Sequence, residues 1–150
     1  MYGETVRFGL GGDSHRFCTT GWSFSERGFV WNDGPAASLT FSIAPPQPPT
    51  DLLLTIKLGP MLAPPDLAVQ PVDVYAHGEK VASWQVTEEG VYTAEIPQHL
   101  TIRGYLNIDL HMPKAIAPAE VGLGSDARRL AIRCFELKLD LESNATAPAP

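Results

Sequence analysis

Hydrophobic and polar residues alternate with a period of two over three stretches of this chain. Every second residue is apolar in Ser38–Ile43, and Asp51–Leu58 and Tyr105–Met112 repeat the pattern. Successive side chains of a β-strand point to opposite faces of its sheet, so the alternation puts the apolar residues of each stretch on one face. The three stretches are therefore predicted to be strands with one buried face.

Shorter apolar runs separated by turn residues predict further strands. His77-Gly78 joins Gln70–Ala76 to Lys80–Val86 in a predicted hairpin, because glycine readily takes the positive φ that tight hairpin turns require. The remaining strands are Val91–Ile96 and an opening strand that carries Val6, Phe8 and Leu10.

The apolar pattern changes phase in the last strand. One parity is shared by Leu130, Ile132 and Cys134, and the other by Phe135, Leu137, Leu139 and Leu141. A β-bulge, or a strand that bends between two sheets, would produce this change. The segment between the opening strand and Ser38 is predicted to be irregular, and short helical turns are expected at Pro97–Leu100 and Pro118–Arg129.

Eight or nine short antiparallel strands with frequent turns predict an all-β fold. We expect a two-sheet antiparallel β-sandwich of jelly-roll (galactose-binding-domain-like) type, formed by residues 1–141 as one domain, with residues 142–150 as a flexible tail. Its shared core is predicted to contain Phe41, Leu54, Ile56, Val74, Trp84, Ile108, Leu110 and Leu137.

The charge of the chain argues against two classes of partner. The 150 residues carry a formal net charge of −6, whereas nucleic acids and anionic membranes select clustered basic surfaces. No apolar run approaches the length of a membrane span, and the N-terminus lacks the pattern of a signal peptide. We therefore expect a cytoplasmic protein in which Cys18 and Cys134 are free thiols.

Hydrolytic chemistry has one candidate in the sequence. Gly12-Asp13-Ser14 follows an apolar strand and resembles the nucleophile block of GDS-type esterases, which also need an Asp-x-x-His pair that this chain lacks. Metal ligation is not indicated, because no two of the four histidines lie at ligand spacing. No catalytic residue, metal ligand or cofactor is predicted.

An aromatic and charged group is the best candidate for ligand binding. Trp22, Glu26 and Trp31 lie in the irregular segment, and Asp126 and Arg128 lie in the loop before the last strand. A tryptophan ring packs on the C–H face of a sugar, and charged groups bind its hydroxyls. We expect the five residues to converge at one end of the sandwich, either as a saccharide site or as a structural cap with an ion pair.

His111 is added to this candidate site, since its strand neighbours the loop before Asp126.

Three segments give the chain a family resemblance. It resembles jelly-roll, carbohydrate-binding-like accessory domains attached to, or encoded near, bacterial glycosyltransferases and other cell-surface polysaccharide biosynthesis proteins. The resemblance rests on Gly21–Glu26 with Trp31 and the strand beginning at Ala37, on the hairpin Asp73–Glu79, and on Gly124–Ile132.

The departures from the family pattern are small. Asp126, Arg128, Leu130 and Ile132 match the end motif of that family, while Ala131 replaces a glycine and His77-Gly78 stands where Asn-Gly is usual. The resemblance implies a non-catalytic carbohydrate-binding module that serves polysaccharide or glycoconjugate biosynthesis, with a saccharide as ligand and a glycosyltransferase as partner.

The alternative is a protein-interaction or assembly module without a small-molecule ligand. Leu53 and Tyr75 point outward in the predicted strands, and a contiguous apolar patch around them would favour this role. A homo-oligomer is compatible with it.

Overall fold

A computed structural model describes residues 2–142, so the predicted tail lies outside the described residues except for Glu142. Its strands are β1 Thr5–Arg7, β2 Trp22–Glu26, β3 Phe29–Asn32, β4 Ala36–Ser42, β5 Leu52–Pro60, β6 Gln70–Ala76, β7 Glu79–Val86, β8 Gly90–Ile96, β9 Tyr105–His111 and β10 Ile132–Leu141. Short 3-10 helices occupy Ser14–Arg16, Gln98–Leu100 and Pro118–Val121. The last two confirm the predicted helical turns.

The strands form two antiparallel sheets. Sheet A has the order β2-β3-β10-β5-β8, with β1 also paired to β10, and sheet B has the order β4-β9-β6-β7. From β4 onward the chain crosses repeatedly between the sheets, which is the strand order of a jelly roll. The predicted all-β, two-sheet sandwich is confirmed.

The core lies between the central strands of the two sheets. Alternate residues of β5 and β9 are fully buried, among them Leu54, Ile56 and Ile108. All eight predicted core residues are buried. Burying one such aliphatic side chain stabilises the fold by about 1.5–3 kcal/mol, so these strands are held mainly by this interface.

A β-bulge interrupts β10, as its change of phase predicts. Cys134 pairs with Leu58 and Glu136 pairs with Lys57, so Phe135 is one residue in excess of β5. The sequence had grouped Phe135 with the buried Leu137, but the bulge leaves Phe135 half-buried on the outer face. Its ring there contacts Lys57 instead of the core.

The segment that was predicted to be irregular is a hairpin. β2 and β3 pair through Trp22 with Asn32 and Glu26 with Phe29, around a tight turn whose Gly28 has a φ of 87°. Trp22, Glu26 and Trp31 therefore lie on strands and not in a loop. The prediction was wrong because the two strands are only five and four residues long, and β3 opens with three consecutive apolar residues, Phe29, Val30 and Trp31, which do not alternate.

The opening strand is shorter than predicted. β1 ends at Arg7, and Leu10 is 69% exposed in the loop that follows. Gly9 has a φ of 100°, and a Cβ there would lie 2.5 Å from the backbone nitrogen of Phe29. This close approach requires glycine, and it packs the loop against the β2–β3 hairpin.

Candidate functional site

Arg128 is the centre of a polar cluster beside the edge strand β2. Its guanidinium donates from Nε and Nη2 to the carboxylate of Asp126, at 3.0 and 2.6 Å. Nη1 donates to Ser23 Oγ at 2.9 Å and lies 3.4 Å from Glu26 Oε2. A two-pronged contact of this kind combines charge with fixed geometry, so Arg128 holds one orientation.

The buried amide of Asn32 positions this arginine. Asn32 Oδ1 accepts hydrogen bonds from the backbone of Ala131 and Ile132, each at 2.8 Å. Asn32 Nδ2 donates to the carbonyl oxygen of Gly34, and the Gly34 N–H donates to the carbonyl oxygen of Arg129. The loop that carries Arg128 is thus tied to the end of β3.

The ion pair also fixes the charge of the cluster. Hydrogen bonds from Arg128, first from its side chain and then from its backbone N–H, lower the pKa of Asp126 to about 2. The same contacts raise the pKa of Arg128. Both groups are therefore charged at neutral pH.

Phe24 belongs to this cluster, although no sequence argument singled it out. Its ring is 65% exposed and lies 4.7 Å from the guanidinium carbon of Arg128. Phe24 and Glu26 are two residues apart on β2, so they share one side of the strand, and both contact Arg128. The alternation in Trp22-Ser23-Phe24-Ser25 was the available signal for a strand here.

The structure brings together three of the six predicted site residues, Glu26, Asp126 and Arg128. Trp22 lies on the inner side of β2, where its ring packs against Phe8 and its Nε1 donates to the carbonyl oxygen of Ser38 at 2.8 Å. The expected single group at one end of the sandwich is therefore corrected.

The other two predicted residues occupy opposite sheets. Trp31 lies on the outer face of sheet A, opposite Arg133 in the register. His111 lies on sheet B, with its ring centre 4.4 Å from that of Tyr75. They are separated because the alternation along β3 and β9 directs each side chain away from the core.

Three aromatic rings surround Arg133 on the outer face of sheet A. Its guanidinium carbon lies 5.7, 5.9 and 5.6 Å from the ring centres of Phe29, Trp31 and Phe135. The Phe29 ring centre lies 6.3 Å from that of Trp31 and 6.0 Å from that of Phe135. We call Phe29, Trp31 and Phe135 the aromatic strip.

The neighbouring strand leaves room for Arg133. Gly59 of β5 pairs with Arg133, and a Cβ at Gly59 would lie 3.2 Å from Arg133 Nε. Arg133 Nη2 reaches Glu89 Oε1 at 3.5 Å, and both side chains are partly exposed. The strip therefore has a charged pair beside its rings.

The remainder of the same face is different in character. A row across β1, β10, β5 and β8 consists of Thr5, Lys138, Thr55 and Thr93. The strip is thus local, and does not reflect a generally aromatic sheet surface.

A wide groove at one end of the sandwich was not predicted from the sequence. It has a volume of about 750 Å³ and lies between the loops 61–69 and 112–131. Its lining is mainly aliphatic, with Asp66, Lys114, Glu120 and Arg129 among its residues. No motif marks it, because the two loops are distant in the sequence and only the fold brings them together.

The residues considered for other chemistry lie apart from these surfaces. Ser14 is 3% exposed, and no histidine of residues 2–142 donates a hydrogen bond to it or accepts one from it. Within that part of the chain, no three His, Cys, Asp or Glu side chains are placed to hold a metal ion. The described residues also contain no helix with the length and apolarity needed to span a membrane.

The two residues on which the interaction alternative rested lie among polar neighbours. Leu53 is paired with Asp140 and Glu95, and Tyr75 with Asp109 and Lys80. Neither is part of a continuous apolar patch, so the structure does not favour an assembly module on these faces.

No known protein family matches the sequence, and no curated protein matches it. Solved structures do match the fold. One is a family GH115 4-O-methyl-α-glucuronidase with specificity for decorated arabinogalactans, with 9% identity, a TM-score of 0.53, and coverage of 93% of this chain and 17% of that one. An acetyl xylan esterase from the rumen bacterium Butyrivibrio proteoclasticus has 10% identity, a TM-score of 0.52, and coverage of 93% and 32%.

A third match is shorter and comparable in length to this chain. It is the CBM36-1 domain of a multidomain xylanase from the hindgut metagenome of Trinervitermes trinervoides, with 13% identity, a TM-score of 0.49, and coverage of 91% of this chain and 94% of that one. This chain spans only a small part of the two enzymes above, and at these identities their likeness shows the fold alone. The protein is a two-sheet β-sandwich with a half-buried aromatic strip on its outer face.

Proposed function

We propose that the protein is a non-catalytic carbohydrate-binding module whose ligand packs on the aromatic strip. The observation that carries the proposal is the grouping of Phe29, Trp31 and Phe135 around Arg133 on the outer face of sheet A. A sandwich does not need aromatic residues on a solvent-facing sheet surface for its core, so their concentration there points to a ligand.

The chemistry of the strip suits a sugar. A pyranose presents a C–H face that packs on an aromatic ring, and its hydroxyl groups bind charged side chains at the ring edges. Trp31 is half-buried, so part of its ring is held by neighbours and part is open to solvent. Holding the ring in advance lowers the entropy lost on binding.

Polar groups flank the strip on two sides. Glu26 pairs with Phe29 across the β2–β3 hairpin, and its carboxylate contacts Arg128. On the other side, Glu89 forms an ion pair with Arg133. Each of these side chains is already oriented by an ion pair, which suits a hydrogen-bonding role towards sugar hydroxyls. Of the residues predicted from the sequence, Trp31 belongs to the strip, and the proposal assigns Glu26, Asp126 and Arg128 to its edge.

The biological setting is proposed from the sequence resemblance alone. We place the module in the biosynthesis of bacterial polysaccharides or glycoconjugates, in the cytoplasm, beside a glycosyltransferase. Association of the purified protein with such an enzyme, measured by co-purification, tests that part.

The test of saccharide binding begins with a glycan array and continues with calorimetry on the strongest ligand. Replacing Trp31 by alanine should reduce affinity about thirtyfold, because an anchoring aromatic side chain commonly contributes about 2 kcal/mol. Tyr105→Ala is the matched control, since Tyr105 is 47% exposed but lies in sheet B. Its affinity should equal that of the original protein.

Thermal melting of each variant separates binding from folding. The proposal fails if no glycan binds, or if Trp31→Ala and Tyr105→Ala bind the ligand equally well while both remain folded.

A further inference from the structure

The outer face of sheet A continues from the aromatic strip into two neighbouring depressions. The first has a volume of about 340 Å³ and is lined by residues that include Phe135, Lys57, Arg7 and Glu136. The second, of about 190 Å³, shares Lys57 and Glu136 and adds Lys138. The strip and the depressions therefore form one track along β10.

The length of this track exceeds one sugar unit. Arg133 lies at its aromatic end and Lys138 at its other end. Their partners Gly59 and Thr55 are four residues apart on β5, and a strand rises about 3.3 Å per residue, so the two positions are about 13 Å apart. More than one pyranose ring can lie along such a distance.

The charges along the track are unevenly paired. Arg7 forms an ion pair with Glu136 at 3.1 Å, and Arg133 forms one with Glu89. Lys57 and Lys138 form no ion pair with any residue of 2–142. Two ammonium groups are thus left available on one face of a chain whose net charge is −6.

The positions of these lysines tie them to the strip. Lys57 Nζ lies 5.8 Å from the ring centre of Phe135. Lys138 pairs with Thr55, two residues before Lys57 on β5, so the two lysines lie diagonally across neighbouring strands. Asp140 and Glu95 follow beyond them, paired with Leu53, and end the basic stretch.

We propose that the ligand is an acidic saccharide, whose uncharged ring faces pack on the aromatic strip while its carboxylate groups bind Lys57 and Lys138. This inference rests on the proposed saccharide binding and adds the class of ligand. A neutral saccharide offers the two ammonium groups no charge to pair with, whereas a chain of uronate units supplies a carboxylate at each ring.

Matched pairs of oligosaccharides test the inference. Tetragalacturonate and tetraglucuronate are compared by calorimetry with the same chains after reduction of their carboxyl groups to alcohols. The acidic member should bind more tightly, and its advantage should shrink as salt is added, because the lysines are at the surface.

Variants then assign the effect to the two lysines. Lys57→Gln and Lys138→Gln should each weaken binding of the acidic member about two- to fivefold, as expected for an exposed ion pair. Lys138→Gln should leave binding of the neutral member unchanged. Lys114→Gln is the matched control, because Lys114 is an exposed lysine of the groove at the end of the sandwich.

The outcomes separate the two proposals. Equal binding of acidic and neutral members, or lysine variants that match Lys114→Gln, overturns the acidic ligand but leaves saccharide binding intact. Failure of every member of both pairs, together with an unresponsive glycan array, overturns saccharide binding itself.

Discussion

Replacing Asn32 by alanine should destabilise the protein more than its size suggests. The side chain is fully buried, and its Oδ1 is the acceptor for the N–H groups of Ala131 and Ile132. Alanine would leave both donors buried without a partner. The carbonyl oxygen of Gly34 also loses a donor, but Gly34 is partly exposed and water can replace the amide there, so this contact adds little to the loss.

The magnitude follows from the two unpaired donors. A buried donor that loses its partner costs about 1–3 kcal/mol, so Asn32→Ala should lower the free energy of unfolding by roughly 2–6 kcal/mol. A domain of this size commonly has a free energy of unfolding of about 5–15 kcal/mol, so the variant should still fold in dilute buffer or be only marginally stable there.

Urea unfolding followed by circular dichroism measures this difference. Asn107→Ala is the matched control, because Asn107 is a half-buried asparagine whose amide bonds Thr40 and Asp109 on the outer face of sheet B. Its loss should be under about 1 kcal/mol. Hydrogen exchange adds a check without mutation, since the Ala131 and Ile132 amides should be strongly protected. Equal losses in the two variants would refute the reasoning.

Two further predictions concern titratable groups. The carboxyl of Asp126 should titrate with a pKa of about 2 when followed by carbon NMR. Because this folded pKa lies below the ordinary 3.8, the stabilising effect of Asp126 should be complete above about pH 4 and lost as the pH falls towards 2. Arg128→Gln should return the titration midpoint towards 3.8, and a midpoint already near 3.8 in the original protein would contradict the ion pair. Burial raises the pKa of Cys18 to about 11 and also raises that of Cys134. Both thiols are free in the structure, so they should react slowly with a thiol reagent in the folded protein at neutral pH. After denaturation without reductant both should be labelled, and fewer than two labelled sites would indicate a disulfide.

The strands with an unbroken period of two could be predicted from the sequence. In β4, β5 and β9 every second residue is buried, and the His77-Gly78 turn forms with positive φ at both positions. Local patterns suffice there because each strand has one buried and one open face. The bulge in β10 was also visible, as a change of parity.

The functional surfaces could be predicted only in part. The contact between Arg128 and Glu26 joins residues about a hundred positions apart. It could be predicted because both side chains are charged and both lie in segments that resemble the family motifs. The aromatic strip was missed because the β2–β3 hairpin was not recognised, so Phe29 was never assigned a face. In the sequence Arg133 is a polar residue between the apolar Ile132 and Cys134, and only the pairing of β10 with β3 places it beside Trp31.

The bulge at Phe135 has a consequence for how this surface can change. Without that residue, Cys134 and Glu136 would be neighbours on β10 and would still face Leu58 and Lys57, which are neighbours on β5. Inward and outward positions would then alternate without interruption, and the core would be unaltered. Deletion of Phe135 should therefore remove the third ring of the strip while the pairing of β10 with β5 and the core beneath it stay complete.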